Sequence, residues 1–252
     1  MDLKLTIDRG NTAIKAALWK PDGSIIAATK GDESLPAGDV AAQICSLENL
    51  PLSAVKAAVY CTVVKSDRSE DLESLRNLCP RLVDLSASTP LNLKIDYRTP
   101  DTLGADRIAA VLGALELAGD RRPLLVSDIG TAVTYDYVAP GRIYRGGNIA
   151  PGVHLRLRAL AAFTDALPAV DPDKGAVPLW GDTTAEAMRS GAVRGLCAEL
   201  EYYHRAAGDD TLAVLTGGSA QLLISKNIIT FEFIHDPYLV HRGLYSIIKD
   251  EN

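Results

Sequence analysis

Two short stretches of the chain place aspartate, glycine and threonine in the same order: "TIDRGNTA" at residues 6–13 and "VSDIGTAV" at residues 126–133. In such a turn glycine lets the backbone come close to a bound group, main-chain N–H donors and a threonine hydroxyl can surround phosphate oxygens, and the aspartate can hold a metal-coordinated water. A single Asp-x-Gly turn is an ordinary connection between strands, because Asp, Asn and Gly favour turns for local backbone reasons. Two of them facing one another are suited to clasping the phosphates of a nucleotide from both sides. A third stretch, "AVLTGGSA" at 213–220, ends an apolar run in Gly217 and Gly218 ahead of a helical pattern, a seat for flat or phosphorylated groups close to backbone.

The elements around these turns also repeat. "LKLTI", "AIKAALW" and "SIIAATK" are β-leaning runs separated by Gly- and Asp-bearing turns, which predicts an antiparallel meander. Residues 37–47, "VKAAVYCTVV", residues 67–79 and "RLVDL" read as helix, strand, helix and strand, the alternation of a sheet with crossover helices. Residues 102–118 set Ile108, Val111, Leu112 and Leu115 at helical spacing, with Asp101 or Thr102 as N-cap, and form a helix that connects two halves. After "GDRRP" the pattern restarts with two strands around the second turn, a third at "RIYRGG", helices, strands at "TLAVLTGG" and "IITFEFI", and a final helix. The expected order is βββαβαβ, the connecting helix, then βββαβαβα. Motif and context recur together, as in a duplication. The expected halves are 1–118, with the first turn and connecting helix, and 119–252, with the second turn and the Gly217-Gly218 strand end. Residues 169–182 are the most loop-like stretch.

A chain of 252 residues with 47% hydrophobic content can bury a substantial core. Its net charge of -6 and pI near 5.3 speak against sequence-independent binding to nucleic acid or an anionic membrane, and point to a small-molecule partner. Asp2 and Lys4 interrupt any apolar stretch at the start, so neither a secretory segment nor a membrane span is expected, and the cytoplasm is the expected compartment. Cys45, Cys61, Cys79 and Cys197 lack CxxC spacing and are expected as buried free thiols.

With these motifs in place, the chain resembles the actin-like superfamily of sugar kinases, acetate kinases and Hsp70, and more narrowly the type III pantothenate kinases. The resemblance runs through "IDRGNTAIK", "TPDTLGADRIAAVLGA", "SDIGTAVTYD", "GGNIAPGVHLRLRALAAFTDALP", "TTAEAMRSGAVRG" and "LTGGSA" to "LVHRGL", in order and over nearly the whole chain. It implies an α/β, duplicated actin-like (ribonuclease H-like) βββαβα fold with two similar halves around a nucleotide cleft. It also implies ATP-dependent phosphorylation of pantothenate to 4'-phosphopantothenate, with magnesium-ATP, a monovalent cation (potassium or ammonium) and a homodimer.

Carried over residue by residue, the resemblance makes Asp106 the general base. The first turn of a helix, where the N-terminal dipole favours carboxylate, suits that role and equally suits a plain helix-stabilising Asp. Gly104, Ala105, Asp106 and Arg107 line the pantothenate site in this reading, with Tyr97 and Thr184 as further substrate contacts. Arg107 offers forked donors for a carboxylate or phosphoryl group, or a surface pairing with Asp101 or Asp106. Asp8 orients water on magnesium, Gly10, Asn11 and Thr12 surround phosphates, and Lys15 is either a nearby positive charge or a solvent-facing strand residue. Asp128 matches the monovalent-cation ligand and Thr131 an ATP contact, with Gly217 and Gly218 as the adenosine motif. Leu155, Leu157 and Leu160 serve a dimer contact or the core.

Two positions depart from the family pattern. Arg9 replaces an apolar residue in the first turn, where it either points away or adds charge near ATP. "CTVVK" at 61–65 replaces Ser-Val-Val-Pro. The alternatives to a pantothenate kinase are a non-catalytic regulatory member of the family, or an actin-like kinase for another small hydroxyl substrate.

Overall fold

The computed structural model describes residues 2–64 and 68–249. Lys65, at the end of the divergent "CTVVK" stretch, and Asp67, the first residue of the expected helix 67–79, lie outside the described residues. In chain order the elements are β1 (Leu3–Arg9), β2 (Ile14–Trp19), β3 (Ile25–Gly31), α1 (Ala37–Leu47), β4 (Val55–Thr62), α2 (Ser69–Leu78), β5 (Arg81–Asp84), β6 (Lys94–Ile95) and α3 (Ala105–Ala118). There follow β7 (Leu124–Asp128), β8 (Ala132–Ala139), β9 (Ile143–Pro151), α4 (Val153–Phe163), α5 (Thr184–Ala207), β10 (Leu212–Thr216), α6 (Ala220–Ser225), β11 (Phe233–His235) and α7 (Leu239–Ile248).

The chain forms two compact units, residues 1–119 with 238–252, and residues 120–237. The first holds a sheet in the order β3-β2-β1-β4-β5, with β1, β2 and β3 antiparallel and β1, β4 and β5 parallel. The second repeats it as β9-β8-β7-β10-β11 with the same orientations. The duplication read from the two Asp-x-Gly turns is therefore present in strand order and direction.

Alternation along β1 sorts its side chains onto two faces. Leu3, Leu5 and Ile7 face a core built with Val40, Ala41 and Ile44 of α1 and Leu72 and Leu75 of α2. Lys4, Thr6 and Asp8 point the other way, and are all buried. On that face Thr6 Oγ1 lies 3.0 Å from His241 Nδ1 of α7, and Trp19 stacks on Tyr245 of α7 at 4.8 Å. The second unit has its own core, with Leu125, Val133 and Leu215 of the sheet against Val193, Leu196 and Leu200 of α5.

The halves expected from the repeat, 1–118 and 119–252, follow chain order, whereas contacts place α7 within the first unit, against α3. Two glycines make that packing possible. A Cβ at Gly113 would lie 2.1 Å from the carbonyl oxygen of Leu239, and one at Gly243 would lie 1.8 Å from that of Ala109. Gly243→Ala should therefore force the helices apart and cost about 1–3 kcal/mol by overpacking, read as a lower midpoint in denaturant unfolding.

Two boundaries differ from expectation. The helix expected from 102 begins at Ala105, because Thr102 N–H donates to the Thr99 carbonyl at 3.0 Å and closes a 3-10 turn over Pro100–Thr102, with the Thr102 hydroxyl bonding to the same oxygen at 2.8 Å. Gly104, not Asp101 or Thr102, is the N-cap. The strand expected in "IITFEFI" is Phe233–His235, while Ile228, Ile229 and Phe231 pack onto the second core as loop residues.

Candidate active site

Strand register explains why the first Asp-x-Gly turn gathers charge. Asp8, on β1, stands opposite Lys15 of β2 and opposite Cys61 of β4, so the three side chains form one row across three strands. Lys15 Nζ lies 3.7 Å from Asp8 Oδ2, and the Cys61 thiol donates to Asp8 Oδ1 at 3.5 Å. Beyond the strand, Gly10 N–H donates to the Ala13 carbonyl at 3.0 Å and closes the turn, which presents Asn11 and Thr12 exposed at its tip.

The row lies on the sheet face that also bears α3, and Asp106 sits in the first turn of that helix. Its Oδ1 accepts the backbone N–H of Arg107 at 2.8 Å, a first-turn donor that also reaches the Gly104 carbonyl at 3.2 Å. Gly104, the N-cap, gives that carboxylate its space, since a Cβ at 104 would stand 2.4 Å from Asp106 Oδ1 and displace it. Cys61 lies within the fields of both aspartates. Its thiol is pushed well up, first by complete burial, then by the charges of Asp8 and Asp106, with Lys15 acting in the opposite sense. The structure thus brings Asp8, Lys15, Cys61, Gly104 and Asp106 together in one unit. Beside Gly104 and Ala105 opens a cavity of about 680 Å³, whose walls include Thr62, Val63, Leu85 and Ser86. Arg107 is buried, and Tyr97 is half-buried in the segment between β6 and α3.

Arg9 points away from the turn. It lies on the core-facing side of β1, and its guanidinium meets Asp71 of α2, with Nε 2.6 Å from Oδ2 in an ionic contact and Nη2 2.9 Å from Oδ1 in a hydrogen bond. It also donates to the carbonyls of Glu33 and Leu35. Asp71 accepts further bonds from Ala37 N–H at the start of α1 and from the Tyr60 hydroxyl. In the second turn the matching residue, Ile129, is fully buried in the core. An arginine at such an inward position needs a buried carboxylate, and Asp71 supplies it.

The second turn is tighter by one residue: Gly130 N–H donates to the Ala132 carbonyl at 3.0 Å, leaving Thr131 exposed. Gly217, at φ +96°, packs directly on it, where a Cβ would come 2.4 Å from Asp128 Oδ1 and 2.5 Å from Ile129 N. Gly152 seals the other side, its N–H donating to the Thr131 carbonyl at 2.9 Å. The "APG" preceding α4 is therefore built against the second turn. Thr184 is the exposed first residue of α5, whose N-cap Thr183 accepts from Glu186 N–H. Leu157 belongs to the core and Leu160 is partly exposed. All four cysteines are buried and free.

Among the described residues no three His, Cys, Asp or Glu side chains form a metal cage. A magnesium ion held through water by Asp8 and by substrate phosphates needs no such cage, so the residues present fit that mode of binding. No helix among the described residues is long and apolar enough to cross a membrane.

Two repeats of one strand order, each with an Asp-x-Gly turn after its first strand, define an actin-like fold. Solved structures agree: the activator of the 2-hydroxyisocaproyl-CoA dehydratase from Clostridium difficile (TM-score 0.58, 13% identity, 97% of this chain and 94% of that one), and a ROK hexokinase from Thermus thermophilus (0.52, 16%, 97% and 98%). Residues 4–206 match the type III pantothenate kinase family, and the type III pantothenate kinase of Phocaeicola vulgatus is 35% identical over 250 residues, 98% of each chain. The chain belongs to the type III pantothenate kinase family.

Proposed function

We propose that the chain transfers the γ-phosphoryl group of ATP to the hydroxyl of pantothenate, giving 4'-phosphopantothenate and ADP. The observation that supports this reading is that Asp8, held by the Cys61 thiol at 3.5 Å, and Asp106, at the start of α3, belong to one unit and both act by charge on Cys61. Family membership supplies the substrates.

In this reading Asp106 accepts the hydroxyl proton as the new P–O bond forms and the bond to ADP breaks, in line and with no phosphoenzyme. Bound magnesium supplies charge neutralisation for the phosphates. Asp8 orients water on it, Gly10, Asn11, Thr12 and Lys15 surround the phosphates, and Thr131, Gly217 and Gly218 hold the remainder of the nucleotide. The family resemblance assigns pantothenate contacts to Gly104 to Arg107, Tyr97 and Thr184, and the cavity beside Gly104 and Ala105 in the first unit has room for a molecule of that size. Arg9 is committed to Asp71 and is assigned no contact with ATP. Asp128 holds a monovalent cation. The enzyme acts as a homodimer in the cytoplasm, and the exposed Phe163, Leu179 and Trp180 support a covered apolar surface.

The test is ADP release with magnesium and ATP, with and without pantothenate, in buffers holding sodium alone, potassium or ammonium. Turnover should require pantothenate and rise with potassium or ammonium, and Asp128→Ala should remove that cation response. Turnover indifferent to pantothenate overturns the kinase reading. Turnover indifferent to the cation withdraws the role of Asp128.

A further inference from the structure

Cys61, a buried free thiol in the divergent "CTVVK" stretch, stands beside the charged end of the first turn. The Asp8 carboxylate has one partner on each oxygen: Lys15 near Oδ2 and Cys61 on Oδ1. The two holds are unequal. The Lys15 side chain is 45% exposed and its charge is screened by solvent, whereas Cys61 is fully buried and fixed by its strand. The end of β4 braces the same turn again, with the Thr62 hydroxyl donating to the Arg9 carbonyl at 3.2 Å and Val63 N–H to the same oxygen at 3.3 Å. The duplication supplies an independent comparison: in the second unit the residue paired with Asp128 is Thr216 of β10, a buried side chain that also carries a donor. Each repeat thus places a short side chain with one hydrogen to give beside the aspartate of its turn.

We infer that Cys61 is a positioning residue, whose S–H fixes the Asp8 carboxylate in the orientation from which it holds water on nucleotide-bound magnesium. The inference rests on the reading of Asp8 given above. Removing the donor leaves Asp8 with the solvent-exposed Lys15 as its remaining hold, so binding that passes through Asp8 weakens while the pantothenate side is unaffected.

The test compares Cys61→Ala, which lacks the donor, with Cys61→Ser, which keeps one. Purified proteins are titrated with ADP by calorimetry, with and without magnesium, after thermal unfolding shows that each variant folds. Cys61→Ala should weaken magnesium-dependent ADP binding by roughly three- to tenfold, leave magnesium-free binding unchanged, and be rescued by Cys61→Ser. In the infrared S–H region, the band lost in Cys61→Ala should shift in the wild type when magnesium and ADP are added together. Equal magnesium-dependent binding by wild type and Cys61→Ala overturns the inference and leaves the kinase reading standing. Absence of any ADP binding by the wild type overturns the nucleotide reading and the inference with it. Equal weakening in both variants overturns it too, because packing and not the donor is then what matters.

Discussion

Asp106→Asn should lower kcat by about 10²–10⁴-fold while the protein folds and binds both substrates nearly as before. Asparagine keeps the carbonyl oxygen that accepts Arg107 N–H, so the start of α3 retains its local bond. The amide is the same size as the carboxylate, so the close packing beside Gly104 also keeps its shape. What the variant loses is the ability to take a proton, so the effect belongs in kcat and not in KM. Steady-state kinetics with each substrate varied in turn would show this. A large rise in KM for pantothenate with kcat retained would make Asp106 a binding group and would remove the base from the account.

Asp71→Ala should destabilise the first unit by about 3–5 kcal/mol, because it strands the Arg9 guanidinium in a buried setting. The carboxylate accepts at 2.9 Å from Arg9, at 2.8 Å from Ala37 N–H and at 2.7 Å from the Tyr60 hydroxyl, so one substitution unties β1, α1 and β4 together. Burial, followed by the hydrogen bond to Asp71, pushes the Tyr60 phenol upward, so it remains a protonated donor. The double variant Arg9→Leu with Asp71→Ala should recover part of the loss, since it removes both charges from a position where the second turn uses an isoleucine. Equilibrium unfolding of the four proteins of this cycle measures the coupling. Additive losses would mean that Arg9 and Asp71 act independently despite their contact.

These cases show what the sequence carries. The repeat was legible because an Asp-x-Gly-Thr turn between two strands has composition and periodicity of its own, and both copies stand at the same place in matching sheets. Asp8 and Gly217 were legible as candidates from the repeated motifs, and Asp106 from the family resemblance alone. Partnership across the fold was not. The fate of Arg9 depends on Asp71, 62 positions away, and on alternation in β1 that faces odd-numbered residues toward α1 and α2. Cys61 meets Asp8 only because β4 pairs with β1 in parallel, and the hydrophobic pattern of one strand does not say which strand becomes its neighbour. The packing of α7 on α3 turns on Gly113 and Gly243, which in a linear reading are merely poor helix formers. The α3 boundary was missed because Thr102 satisfies its hydroxyl backwards, toward Thr99, where a forward cap was equally consistent with its type.

The central claim is that this chain moves phosphoryl from ATP to pantothenate. The most direct measurement is identification of the products by phosphorus NMR after incubating the purified protein with ATP, magnesium, potassium and pantothenate. The account predicts one new phosphomonoester, coupled to the protons on the carbon bearing the pantothenate hydroxyl, appearing in step with ADP. Inorganic phosphate appearing in its place, or an unchanged ATP spectrum under every cation condition, would contradict it.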